Sequence, residues 1–302
     1  MPYVEDSKIR FDARVAIVTG AGRGLGREHA LLLAARGARV VVNDSSQKWA
    51  EQTTADIVAA GGQAVAVIGD VSDSKQCVDI VQRTVSEFGA VHIVLNNAGR
   101  GGPTGLFEDT TDEQVDMIIG THLVGSFNMC RAAWLLMKEQ RFGRVLLTSS
   151  GAGLGGLASS AYSMAKAGLF GLTRSLALEG ADHNIKVNAL LPIGYTRSAA
   201  LNPQEDTRRW MEQHFPPAVV SPVACWLVHD DVPCTGELVN TGAGRVSLFA
   251  TIGVPGYSKG LDLCVEDVRD HWDQVVSLEN YKVMKQSRDD LSFYSGDAEF
   301  PN

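Results

Sequence analysis

The 302 residues carry 27 Lys and Arg against 35 Asp and Glu, a formal charge of −8, with 45% hydrophobic and 21% charged residues. Such a chain is long enough for one or two cored domains, and its composition excludes a disordered, collagen-like or disulfide-stapled class. The acidic balance and the lack of a Lys/Arg-rich run exclude nucleic acid and anionic membrane surfaces as main partners.

Short apolar runs alternate with amphipathic ones over the first 190 residues. Strands are expected at Arg14–Thr19, Arg39–Asn43, Ala64–Ile68, Val91–Leu95, Arg144–Thr148 and Lys186–Leu190. Between them the pattern predicts helices at Gly26–Arg36, Lys48–Ala60, Lys75–Phe88 and Thr111–Gln140, and one holding Tyr162 and Lys166 that runs to about Glu179. Five-residue apolar strands separated by helices imply a parallel sheet covered on both faces, hence an α/β, doubly wound, Rossmann-type fold. A last strand is expected at Gly236–Val239. One domain is read over 1–245, and 246–302 as a C-terminal extension packing on the domain or on a partner subunit.

No apolar run approaches the ~18 residues that span a bilayer. The start Met-Pro-Tyr-Val-Glu-Asp-Ser-Lys lacks a signal-peptide layout, and the end Glu-Phe-Pro-Asn is not a peroxisomal address. Cys77, Cys130, Cys225, Cys234 and Cys264 are too scattered for a zinc site or a disulfide framework. A cytoplasmic protein with free thiols is the expectation.

Thr19-Gly20-Ala21-Gly22-Arg23-Gly24-Leu25-Gly26 lies where the first strand turns into the first helix. Glycines there allow close backbone approach to a pyrophosphate, and the helix start offers free N–H groups to that anion. Asp44, at the end of the second strand, can accept hydrogen bonds from ribose hydroxyls and would repel a 2′-phosphate, which favours NAD over NADP. Arg23 pulls towards NADP. Asp70, followed by Val71, either reaches the adenine or caps the helix after it. Asn96-Asn97-Ala98-Gly99 closes the fourth strand at the sheet's carboxyl edge. Tyr162 and Lys166, four apart, share one face of a helix, and a nearby cation would lower the phenol's pKa towards working pH. Such a phenol could exchange a proton with an alcohol or carbonyl oxygen.

Taken together over residues 12–245, these segments resemble the short-chain dehydrogenase/reductase family, with Thr148-Ser149-Ser150 and Lys186-Val-Asn-Ala in register with the rest. The resemblance implies Tyr162 as general acid/base, Lys166 as the group that lowers its pKa and holds the nicotinamide ribose, and a serine that binds the substrate oxygen. Alignment of the Thr-Ser-Ser motif selects Ser150, whereas the family's usual interval to the tyrosine selects Ser149. It also implies cofactor contacts at Gly20, Gly22, Arg23, Gly24, Leu25, Gly26, Asp44, Asp70, Val71, Asn97, Ala98 and Gly99, with Ile193 and Thr196 beside the carboxamide. Where the family has a catalytic asparagine, this chain has His122, in His122-Leu-Val-Gly-Ser-Phe. The histidine either leaves the main-chain carbonyl to hold a relay water, joins the relay through its ring, or is simply packed.

His122-Leu-Val-Gly-Ser-Phe, Arg131-Ala-Ala-Trp134 and Leu176-Ala-Leu-Glu-Gly180 are similar to one branch of the family. That branch comprises the (3R)-hydroxyacyl-CoA dehydrogenase domains of multifunctional enzyme type 2 and free-standing bacterial relatives. The resemblance implies an NAD-dependent oxidoreductase acting on a 3-hydroxyacyl-CoA or a hydroxysteroid-like alcohol, as a homodimer or homotetramer, without a metal. The alternatives are an NADP-linked 3-oxoacyl-carrier-protein or carbonyl reductase, and a cofactor-binding sensor with little catalysis. Substrate contacts are expected from 196–217, with Arg197, Arg208, Arg209, Trp210 and Phe215.

Overall fold

Residues 9–101, 105–156, 158–195 and 204–289 are described in a computed structural model of the chain. Among them lie β1 (Val15–Val18), β2 (Arg39–Asp44), β3 (Gln63–Ile68), β4 (Ile93–Asn96), β5 (Gly143–Thr148), β6 (Ile185–Pro192), β7 (Leu238–Gly242) and β8 (Arg245–Phe249), which form one sheet in the order β3-β2-β1-β4-β5-β6-β7-β8. β1 to β7 pair in parallel. Every residue of β1 and β4 is buried, as expected of short apolar strands with helices on both faces. β7 and β8 are joined by Ala243 and Gly244, both at positive φ (49° and 73°), the backbone of a two-residue hairpin turn.

The crossovers are α1 (Gly24–Ala35), α2 (Gln47–Ala59), α3 (Ser74–Phe88), the pair α4 (Asp112–Ile119) and α5 (Gly125–Gln140), and α6 (Ser160–Gly180). α3 buries Cys77, Ile80, Val81 and Thr84 along one stripe; the Asp73 carboxylate caps its start and left-handed Gly89 ends it. The main core lies under α1, where Ala30 and Leu33 meet Val18, Val40 and Val42 of the sheet and Ala224 and Leu227 of α8 (Ser221–Leu227). Two departures from the expected elements concern the site. The helix over 111–140 is broken by a π-helical turn at Gly120–Val124, and α7 (Glu205–His214) stands in the stretch read only as a substrate segment.

The chain forms two compact units, Met1–Leu248 and Phe249–Asn302, where the sequence reading put the division at 245/246. In the second, β9 (Thr251–Gly253) pairs antiparallel with β10 (Lys282–Met284), and α9 (Val265–Asp270) and α10 (Trp272–Val275) are short. No helix among the described residues is long and apolar enough to cross a membrane.

Candidate active site

The strand order reverses between β1 and β4, and the loops leaving these two strands meet over the gap, the place where open α/β sheets bind ligands. The contact is tight enough to demand glycine. Gly20 has φ +61°, and a Cβ there would lie 2.7 Å from the Ala98 Cα; one on Gly26 would lie 2.4 Å from Asn97 Nδ2. The Asn97 amide donates to the Thr19 and Gly20 carbonyls (3.1 and 3.2 Å), and the Thr19 hydroxyl accepts from the Asn97 and Ala98 N–H groups, both at 3.0 Å. α1 then starts at Gly24 with no side-chain cap from Arg23, which leaves its first N–H groups for an anion.

Asp44 is held rigidly at the end of β2. One carboxylate oxygen accepts from Gly22 N–H (3.1 Å) and the other from Ser46 N–H (2.9 Å). The Arg23 guanidinium sits 5.4 Å from the centre of the Trp49 ring. Asp70 does not cap α3, since Asp73 does; its two oxygens take the Ser72 hydroxyl and N–H on one side and the Arg100 guanidinium, at 2.7 Å, on the other.

A cavity of about 1300 Å³ runs from this groove past β5 and α6. It is lined by Gly20, Arg23, Gly24, Leu25, Asp44, Asp70, Val71, Asn97, Ala98, Gly99, His122, Ser150, Tyr162, Lys166 and Ile193. Gly22 and Gly26 support the loop from behind, Gly22 against Asp44 and Trp49 and Gly26 against Asn97. Thr196 and Arg197 fall outside the described residues.

Tyr162 lies one turn before Lys166 on α6, its ring packed among Ile118, Ala161 and Ala165. The Ser150 hydroxyl lies beside the phenol at the cavity wall and accepts from Ala152 N–H at 3.1 Å. Ser149 turns the other way, buried, and donates to the Lys166 carbonyl at 2.7 Å. Lys166 is 4% exposed; its Nζ donates to the Thr148 carbonyl at 2.6 Å and stands 5.4 Å from the Tyr162 ring centre.

The expected depression of the phenol by a lysine cation is not what this geometry produces. Burial pushes the Tyr162 phenol above its ordinary value, with the Ser150 hydrogen bond pulling the other way. The same loss of water brings Lys166 down to about 7, so the ammonium that was to act on the phenol is itself disfavoured.

His122 sits in the π-helical turn, edge-on to Tyr162 with ring centres 5.1 Å apart at 84°. Its Nε2 is 3.0 Å from the Arg100 carbonyl, and its own carbonyl accepts from Ser126 Oγ at 2.8 Å. Burial, and then the neighbouring Lys166, bring its pKa down to about 4, against the pull of the Arg100 carbonyl. Arg100, Gln114, Tyr195 and Met211 also face the cavity or hold its residues and were not singled out from the sequence. Arg100 follows the Asn-Asn-Ala-Gly turn directly and could have been found there; Met211 needed the helix of α7, which has no apolar stripe dense enough to announce it.

A sequence model of the family described as short chain dehydrogenase matches residues 14–209. The chain belongs to this family. As a short-chain dehydrogenase it is a dehydrogenase/reductase acting on CH–OH groups, with a nicotinamide cofactor, NAD or NADP. It is 37% identical over 295 residues to a short-chain type dehydrogenase/reductase of Mycobacterium tuberculosis, covering 94% of this chain and 98% of that one. Peroxisomal multifunctional enzyme type 2 of Mus musculus is 36% identical over 287 residues, 91% of this chain, but the match spans only 38% of the mouse protein. The solved full-length multifunctional enzyme type 2 of Drosophila melanogaster superposes with a TM-score of 0.80 at 30% identity, covering 95% of this chain and 49% of that one.

Proposed function

We propose that this short-chain dehydrogenase interconverts a secondary alcohol and a ketone with NAD, on a 3-hydroxyacyl-CoA or a hydroxysteroid-like substrate. The observation that carries this reading is the placing of Ser150, Tyr162 and Lys166 along one wall of the cavity whose far end is the Gly20–Gly26 loop. The protein side fits a dinucleotide: Gly20, Gly22 and Gly26 packed too closely for any Cβ, an uncapped helix start for the pyrophosphate, and the Asp44 carboxylate pinned where ribose hydroxyls would meet it. Gly20, Gly22, Arg23, Gly24, Leu25, Gly26, Asp70, Val71, Asn97, Ala98, Gly99, Ile193 and Thr196 complete the proposed cofactor contacts.

When bound, the nicotinamide exchanges a hydride with the carbon bearing the oxygen. Ser150 donates a hydrogen bond to that oxygen and holds it against Tyr162. As the phenolate Tyr162 takes the hydroxyl proton during oxidation, and as the phenol it returns it during reduction. Lys166, anchored on the Thr148 carbonyl, places positive charge next to the phenol when protonated and holds a ribose hydroxyl. The acyl-CoA class is supported by the resemblance of His122-Leu-Val-Gly-Ser-Phe, Arg131-Ala-Ala-Trp134 and Leu176-Ala-Leu-Glu-Gly180 to the (3R)-hydroxyacyl-CoA dehydrogenase branch and by the cavity's size. The Asp44 carboxylate, standing where a 2′-phosphate would sit, favours NAD over the NADP-linked alternative. Leu135 on α5 and Met164 and Leu178 on α6 expose apolar surface that suits a homodimer or homotetramer, and the free cysteines suit a reducing compartment such as the cytoplasm.

The test is a panel of 3-hydroxyacyl-CoA, steroid and small alcohols assayed with NAD and with NADP, beside the Tyr162→Phe variant. Turnover of a hydroxyacyl-CoA or steroid with NAD, lost by on the order of 1,000-fold in Tyr162→Phe while NADH still binds, is the expected result. Preference for NADP, or activity that survives Tyr162→Phe, overturns the reading.

A further inference from the structure

Residues 97–100 form a strap that leaves β4 and passes along the cofactor side of the cavity. Its first half is tied down by Thr19, which accepts from both the Asn97 and Ala98 N–H groups. The second half is tied differently. The Arg100 carbonyl is met by Nε2 of His122, from the π-helical turn 22 residues on, at 3.0 Å. A carbonyl can only accept, so Nε2 carries the ring proton and Nδ1 is left as a bare acceptor. Nδ1 is buried and has no partner among the described residues, in a side chain that is 6% exposed.

The ring and the strap also interlock sterically. A Cβ on Gly99 would lie 2.5 Å from His122 Cε1 and 3.1 Å from Nδ1, so the imidazole occupies the space a side chain at 99 would need. Beyond Gly99, the Arg100 guanidinium reaches Asp70 at 2.7 Å. His122 thus fixes the main chain between the ribose-facing turn and the residue that crosses to Asp70.

We propose that His122 is a positioning residue for the cofactor strap: its Nε2–H group, held on the Arg100 carbonyl, and its ring, packed on Gly99, shape the Asn97–Arg100 segment for the dinucleotide. This rests on the nicotinamide reading of the cavity. A relay role fits the geometry less well, because the ring's one proton is committed to Arg100 and its free nitrogen meets no donor. A conventional asparagine could not do the same work: its amide nitrogen stands about as far from Cα as Nδ1 does and falls short of Arg100. The amide nitrogen of glutamine stands about where Nε2 does.

That difference makes the test. NADH is titrated into wild-type protein and into His122→Asn, His122→Ala and His122→Gln, and backbone hydrogen exchange of the 97–101 segment is followed without cofactor. Loss of the bond to a buried carbonyl should weaken NADH binding on the order of tenfold in His122→Asn and His122→Ala and speed exchange in the strap, while His122→Gln restores both to within about threefold of wild type. Gly99→Ala, which disturbs the same contact from the strap side, should weaken NADH similarly, and its effect combined with His122→Ala should be less than the product of the two. The pH profile of turnover should keep its inflections in His122→Gln. Wild-type affinity in His122→Asn together with weak binding in His122→Gln would overturn the proposal in favour of a role for Nδ1, and unchanged exchange in His122→Ala would also overturn it. Should wild-type protein bind neither NADH nor NADPH, the dinucleotide reading fails, and the cofactor-free exchange still decides whether His122 holds the strap.

Discussion

The Ser150 hydroxyl stands beside the Tyr162 phenol on the cavity wall, while the adjacent Ser149 hydroxyl is buried and donates to the Lys166 carbonyl at 2.7 Å. The two serines therefore fail in different ways when removed. Ser150→Ala should lower kcat/KM by on the order of 100-fold, through loss of the donor to the reacting oxygen. Ser149→Ala removes the bond to the Lys166 carbonyl, which keeps its helical partner, and should instead cost about 1 kcal/mol of stability in urea unfolding. Equal kinetic losses in both variants would contradict this division of labour.

Lys166 is held near pKa 7 by burial in the cofactor-free protein. An anionic cofactor and its ribose hydroxyls favour the ammonium, so binding raises that pKa and the complex takes up a proton in the window above 7. Calorimetry of NADH binding at pH 8 in buffers of different ionisation enthalpy should show this uptake, and Lys166→Met should remove it. A buffer-independent heat in the wild type would count against the assignment.

His29 is fully buried on α1, its Nδ1 paired with Ser221 Oγ at 2.8 Å and its Nε2 without a hydrogen-bond partner among the described residues. Burial lowers its pKa to about 4, from the 6.5 of an exposed imidazole. Between those two values the unfolded chain binds a proton that the folded chain refuses, so stability is present above about pH 6.5 and is lost as pH falls towards 4. His122, similarly lowered, adds to the same slope. Unfolding free energy measured against pH should lose up to about 1.4 kcal/mol per pH unit for each group in that window. His29→Gln should flatten the curve; an identical slope in that variant would show that the ring is already charged or already open to water.

Asp44 accepts from two N–H groups and lines the cavity at the end of β2. Asp44→Ser removes the repulsion towards a 2′-phosphate and one acceptor for the ribose. NADPH binding should tighten relative to NADH by on the order of tenfold or more, read as a ratio of dissociation constants. A ratio that does not move would mean that Arg23 and its stacking on Trp49, rather than Asp44, set the choice.

Ala243 occupies the first central position of the β7–β8 turn at φ 49°, a conformation that costs a residue with a Cβ about 1 kcal/mol or more. Ala243→Gly should raise stability by about 1 kcal/mol or a little less, since glycine also gains entropy when unfolded. A destabilised variant would show that the turn is not strained.

The alternation of apolar strands with helices, the glycine loop and the Asn-Asn-Ala-Gly turn were legible because each rests on short-range chemistry. A buried parallel strand must be apolar throughout, and a loop pressed against Ala98 must be glycine wherever a Cβ would collide. The order of motifs then determined the sheet's switch point, and with it the end of the molecule that binds. Neither α7 nor the elements after Gly244 could be read this way, since α7 is polar with no buried residue and the later elements are short and mostly exposed. The Ser149 and Ser150 ambiguity had another cause. Neighbouring residues at an extended strand end face opposite sides, so the register of β5 against β6, set by Ser149 N–H on the Leu190 carbonyl at 2.7 Å, decides which hydroxyl meets Tyr162. The same holds for the two charges at the centre. From spacing alone, Lys166 stands one turn from Tyr162 and lowers its pKa; only packing shows that both lie where water has been removed, which raises the phenol and lowers the amine. Sequence determined which groups meet, because that follows from helical and strand periodicity. Tertiary structure decided their protonation and their partners, because burial and the reach of His122 to Arg100 depend on chain segments brought together only by folding.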